Sequence, residues 1–89
     1  MKSDELYGHL RELAEKLEIT VEEHSFKTAR VQVKSGLCRV KGQWVYVMDR
    51  HLSAARKNRL LGGCLAGRVG DDVYVLPAVR EYIDRVKGD

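Results

Sequence analysis

The sequence predicts a single α+β domain over residues 1–89: a mostly antiparallel sheet of four to five strands with three helices, in the order α-β-β-β-β-α-β-α. Three observations carry this expectation. Leu6, Leu10, Leu13 and Leu17 recur on one helical face; the apolar period then drops to two at Ile19 and Val21; and Trp44 to Met48 form a continuous aromatic and β-branched run. A chain this short buries roughly 60 to 65% of its unfolded surface, enough for one modest core.

The first helix is expected at about residues 4–17, with Ser3 as N-cap and Asp4 and Glu5 in the first turn, where the helix dipole favours acids. Arg11 with Glu15 and Glu12 with Lys16 are spaced to pair on its solvent face, and His9 reads as a surface residue. Ile19 and Val21, and later Val31 and Val33, alternate with polar neighbours as half-exposed strands. Between them, His24 to Thr28 break the phase, which suggests a turn with Phe26 folded back on the core. Leu37-Cys38-Arg39-Val40, then Lys41-Gly42, then the apolar run make a hairpin. The second hairpin strand lacks polar alternation, so it reads as central and covered on both sides.

Ser53 is a good N-cap for a helix over about 53–66. On it, Ala54, Leu61, Cys64 and Leu65 form one face, with Arg56, Arg59 and Gly63 opposite. Gly62 and Gly63 each cost about 1 kcal/mol inside a helix, so the pair implies a break, a close backbone contact or a lost feature. Val69 to Asp72 read as a turn and Val73 to Leu76 as a further strand. Pro77 suits the first position of a last helix, with Ala78, Val79, Tyr82, Ile83 and Val86 inward.

Charge is segregated along the chain. Residues 27–68 hold ten bases and one acid, Asp49, a local formal charge of +9, while both flanks are net acidic. Such a distribution steers an acidic partner but specifies no reaction. Lys27, Arg30 and Lys34 surround the early strand. Arg39, Lys41, Arg50, Arg56, Lys57 and Arg59 group around the hairpin and the start of the second helix, and these six are the expected partner- or anion-binding residues. The acidic N-terminal start, with no apolar run behind it, fits neither a signal peptide nor a membrane span, so a cytoplasmic protein with no membrane partner is expected.

No nucleophile signature or glycine-rich phosphate loop is present, so no catalytic residues are expected. Cys38 and Cys64 read as free thiols. Together with His9, His24 and His51 they lack paired ligand spacing, so no metal or other cofactor is expected. His51, at the end of the central strand, and Cys38, beside Arg39, are the two positions where a chemical role would sit.

Residues 37–68 resemble the core of ImmA/IrrE-type zinc peptidases: a glycine-led strand, a hairpin to an apolar strand ending in Asp49, a polar link, then a helix containing Leu61-Gly62-Gly63-Cys64-Leu65-Ala66-Gly67. In that family the helix bears His-Glu-x-x-His, two metal ligands four apart and a glutamate base. In register, Gly63 and Gly67 stand for the ligands and Cys64 for the base, so the resemblance implies a relative without metal or activity. The whole chain also resembles small uncharacterised bacterial proteins that share Gly-Leu-Cys-Arg-Val and a terminal Leu-Pro-Ala-Val-Arg-Glu, here Leu76 to Glu81. That resemblance implies a fold and no activity.

Taken together, these residues suggest a non-enzymatic interaction domain that meets an acidic protein surface, or its own second subunit, through its bases. The alternative is nucleic-acid binding, with Arg39, Lys41, Arg50, Arg56, Lys57 and Arg59 on phosphates and Trp44 or Tyr46 stacking if exposed.

Overall fold

A computed structural model describes residues 1–25 and 36–87. The expected strand at Val31–Val33, the turn around Phe26 and the bases Lys27, Arg30 and Lys34 lie outside the described residues. Helix α1 spans Ser3–Lys16 and strand β1 Ile19–His24; β2 spans Gly36–Val40 and β3 Gln43–Asp49; helices α2 and α3 span Ala54–Ala66 and Pro77–Lys87.

The N-cap of helix α1 lies one residue earlier than expected. Lys2 occupies the N-cap without a side-chain bond, and Ser3 is already helical. Asp4 and Glu5 in the first turn and Lys16 in the last complement the dipole. Leu10, Leu13 and Ala14 are buried, and the chain reverses at Glu18, which holds a left-handed φ of 62° before entering β1. The surface pairs Arg11–Glu15 and Glu12–Lys16 are not formed. Arg11 turns towards Glu23 on β1, and Glu12 lies 4.0 Å from His9 Nδ1.

Three strands, not four to five, form the sheet among the described residues, in the order β1-β3-β2. The expected antiparallel character holds for half of it. β2 and β3 form the antiparallel hairpin, with Leu37 opposite Tyr46, while β1 runs parallel to β3, with Ile19 opposite Trp44 and Glu23 opposite Met48. β3 takes the centre because its apolar run can be buried on both faces: Val45 and Tyr46 are both buried, and Met48 is fully so.

Side-chain alternation then sorts the sheet. Ile19, Tyr46 and Met48 join Leu10, Leu13, Ala14, Leu61, Leu65, Val79 and Ile83 in one core, with Leu37 and Val21 packed against it. Each large apolar side chain fully buried there contributes about 1.5 to 3 kcal/mol.

Helix α2 is capped as expected: Ser53 Oγ accepts a hydrogen bond from the Arg56 N–H at 3.3 Å. Its glycines do not break it. A Cβ on Gly62 would lie 3.0 Å from Tyr82 Cε1, so Gly62 lets α3 approach closely, whereas nothing in the structure explains Gly63, which has room for a methyl group. Asn58, buried, donates from Nδ2 to the Ser3 carbonyl at 2.9 Å and fastens α2 to the start of α1.

The expected strand at Val73–Leu76 is not one. The segment crosses α1 in the helix layer, lining a cleft with His9, Glu12 and Leu13, and so never reaches a sheet edge. Its period of two survives in packing. Val73 and Val75 face the core, while Tyr74 is 71% exposed. Pro77 opens α3 as expected, with Val79 and Ile83 buried.

Candidate functional site

The six expected site residues do not form one surface. β3 has seven residues, and at about 3.3 Å per residue it holds its two ends roughly 20 Å apart. Arg39 and Lys41 sit at the end where β3 begins. Arg50, Arg56 and Lys57 sit at the other end, where β3 runs into α2.

At the α2 end, period two on β1 places Glu23 on the same face as Ile19 and Val21, so its carboxylate points towards the helices. Three side chains meet it there. Tyr7 Oη donates to Glu23 Oε2 at 2.6 Å, Lys57 Nζ donates to Oε1 at 2.9 Å, and Arg11 Nη1 stands 3.9 Å from Oε2. The Lys57 ammonium and the Arg11 guanidinium also lie over the Tyr7 ring, at 5.3 and 5.7 Å from its centroid. Burial pushes the Glu23 carboxyl up, but the Tyr7 and Lys57 hydrogen bonds and the charges of Lys57 and Arg11 outweigh it, so the group titrates below its ordinary value. Burial, reinforced by Glu23, pushes the Tyr7 hydroxyl well up, so it stays a proton donor. Lys57 is therefore a structural cation tying α2 to α1 and β1. Its i, i+4 spacing from Leu61 on the buried stripe signals this in the sequence.

The neighbouring polar groups do not form a hydroxyl–imidazole–carboxylate relay among the described residues. Ser25 Oγ lies 2.9 Å from His51 Nε2, a hydroxyl–imidazole pair that sequence order alone does not reveal. Acyl transfer also needs an acceptor that orients the imidazole. The nearby Asp49 Oδ1 accepts from the His51 backbone N–H at 3.0 Å, not from its ring. His51 is exposed, Cys38 is exposed on β2 and Tyr46 is buried on β3, so the groups a metal-free enzyme would have to gather lie apart. Gly63 is exposed on α2, Gly67 is its C-cap, and burial pushes the Cys64 thiol up. Among the described residues no group of three or more His, Cys, Asp or Glu is placed to hold a metal ion.

The remaining bases lie outward. Arg50 and Arg56 are exposed, and neither forms an ion pair within the described residues. Arg59 is exposed beside Tyr82, Arg85 and Val86 on the α2–α3 surface, and Arg68 Nη1 donates to the Cys64 carbonyl at 3.0 Å.

At the hairpin end the turn is Lys41-Gly42, with φ of 50° and 81°, the left-handed pair of a tight hairpin. Glycine adopts this freely, whereas holding Lys41 there costs about 1 kcal/mol. Arg39 and Trp44 are cross-strand partners, and the Arg39 guanidinium lies 5.3 Å from the Trp44 ring centroid, a contact contributing about 0.5 to 1 kcal/mol at an exposed site. Trp44 is 39% exposed, so the strand expected to be buried throughout surfaces at its first aromatic residue, while Tyr46 is buried. Neither Arg39 nor Lys41 forms an ion pair within the described residues.

Comparison with protein families, with curated proteins and with solved structures returned no match. No described helix is long and apolar enough to cross a membrane.

Proposed function

We propose that this chain is a small non-enzymatic interaction domain whose exposed bases meet an acidic protein surface. One observation carries the reading: Lys57 is turned inward onto the Glu23 carboxylate, whereas Arg39, Lys41, Arg50 and Arg56 are exposed without an ion-pair partner among the described residues. Their charge is then available to a partner, where complementarity sets encounter rate and specificity. A second copy is one such partner, because Asp4, Glu5, Glu15 and Glu18 are exposed around α1 without ion pairs among the described residues. Descent from a zinc peptidase that lost its metal accords with glycine at 63 and 67, and belongs to the same proposal.

The test is retention on an immobilised acidic polypeptide such as poly-L-glutamate as salt rises, with light scattering at two protein concentrations. Salt-sensitive retention is expected, and reversal of the exposed bases should abolish it. Passage through at low salt together with a strictly monomeric protein would refute the reading. Nucleic-acid binding is the alternative, favoured by the exposed Trp44 beside Arg39. Tighter retention on single-stranded DNA than on poly-L-glutamate would select it.

A further inference from the structure

We infer that the hairpin tip, not the α2 end, is the primary contact, and that it takes an acidic protein segment carrying an aromatic side chain among its carboxylates. This rests on the acidic-partner reading and assigns it a place.

The tip concentrates the residue types that dominate protein interfaces, an arginine stacked on a partly exposed tryptophan, on a rigid two-strand support. The stack pre-organises the guanidinium before any partner arrives. Gln43 Nε2 donates to the Glu18 carbonyl at 3.0 Å and ties the tip to the start of β1, so the strand carrying Trp44 is anchored as well as paired. Lys41 sits at the turn itself in a left-handed conformation where glycine would fit without strain, which sets a second positive charge beyond the Arg39–Trp44 pair. By contrast, among the described residues no exposed aromatic ring stacks on Arg50 or Arg56 at the other end.

An acidic segment suits this arrangement better than a nucleic-acid strand. Arg39 already covers the Trp44 ring, which leaves an edge and flank for an apolar side chain instead of two open faces for stacked bases. Two cations are too few to track a phosphate backbone: Arg50 and Arg56 lie at the far end of the sheet, and the exposed Lys16, at the end of α1 near the tip, sits in the chain between Glu15 and Glu18.

Trp44 is the chain's sole tryptophan, so its fluorescence reports on the tip directly. The probes are fluorescein-labelled poly-L-glutamate, a labelled random glutamate–tyrosine copolymer and a labelled single-stranded thymidine oligomer, titrated at equal salt. Anisotropy gives affinity and unlabelled copolymer gives Trp44 emission. Binding of the copolymer should change Trp44 emission and exceed that of poly-L-glutamate.

The R39E/K41E pair should weaken copolymer binding by about tenfold or more, as loss of a hot spot does, and R50E/R56E by no more than about threefold. V40A, on the opposite face of the hairpin, should leave binding unchanged. Arg39→Ala alone covers the case in which the double reversal fails to fold. If R50E/R56E abolishes binding while R39E/K41E does not, the acidic-partner reading stands and the tip assignment falls. If no probe binds, the tip assignment falls, and with a strictly monomeric protein the acidic-partner reading falls with it. Tighter binding of the oligomer than of the copolymer overturns the partner class.

Discussion

The two ends of β3 handle positive charge in opposite ways. At the α2 end Lys57 meets the Glu23 carboxylate and the Tyr7 ring within one half-buried cluster, its side chain 14% exposed and that of Glu23 23%. At the hairpin end Arg39 lies over a tryptophan face, without an ion pair among the described residues, and Lys41 stands on the turn. Both ends belong to the same basic stretch of sequence, and what separates them is whether the fold brings an acid from outside that stretch. Glu23, from the acidic N-terminal flank, reaches Lys57 because parallel pairing sets it beside Met48 under α2. Among the described residues no acid is paired with the tip, so a cation there adds little to stability and remains available for binding.

The largest effect contrasts two residues on one face of one strand. Met48→Asp places a charge in the fully buried position beside Glu23 and should cost more than about 4 kcal/mol, enough to abolish the cooperative melting curve. Trp44→Asp, four residues earlier, should leave a folded protein with a lowered melting temperature. Unfolding by both would mean the tip is core and not surface.

Glu23→Gln comes next. It leaves Lys57 half-buried without its counter-charge and should cost about 2 kcal/mol in a urea titration. The pH dependence follows from the sign of the shift. The folded Glu23 carboxyl titrates below its ordinary 4.5, so its contribution is complete above that value and is lost as pH falls through the lower, folded one. Stability of the wild type should therefore drop more steeply than that of Glu23→Gln below about pH 4.5; parallel curves would show that the carboxylate is not clamped.

A smaller loss is expected from Arg39→Ala, about 0.5 to 1 kcal/mol for the ring contact, with a shift in Trp44 fluorescence. Smallest of all, R50E/R56E should change the urea midpoint by no more than about 0.5 kcal/mol equivalent, because both side chains are exposed and without ion pairs among the described residues.

Much of the fold was legible where the signal is local. The leucine stripe placed α1, Ser53 placed the start of α2, Pro77 placed that of α3, and Lys41-Gly42 placed the hairpin. What local pattern cannot carry is which edge a strand joins. Ile19 to His24 reads the same whether it pairs parallel or antiparallel, and Val73 to Leu76 alternates like a strand although it packs across a helix.

The site was legible in part for the same reason. Counting bases grouped Lys57 with its neighbours, because charge in sequence is blind to burial. Two periodic cues pointed inward, Glu23 in phase with Ile19 and Val21, and Lys57 four before Leu61. The Trp44 exposure had no cue, since the strand is apolar throughout and only the position of the helices over it decides where cover ends.

The central claim is that one lysine of this basic stretch holds the fold and another is free to bind, and a matched pair of substitutions tests it most directly. Lys57→Met and Lys41→Met are each measured for urea stability and for affinity towards the glutamate–tyrosine copolymer in the same buffer. Lys57→Met should lose about 1 to 2 kcal/mol of stability with affinity unchanged, and Lys41→Met should keep its stability and bind more weakly. The opposite pattern, a stable Lys57→Met that no longer binds beside an unaffected Lys41→Met, would contradict the account.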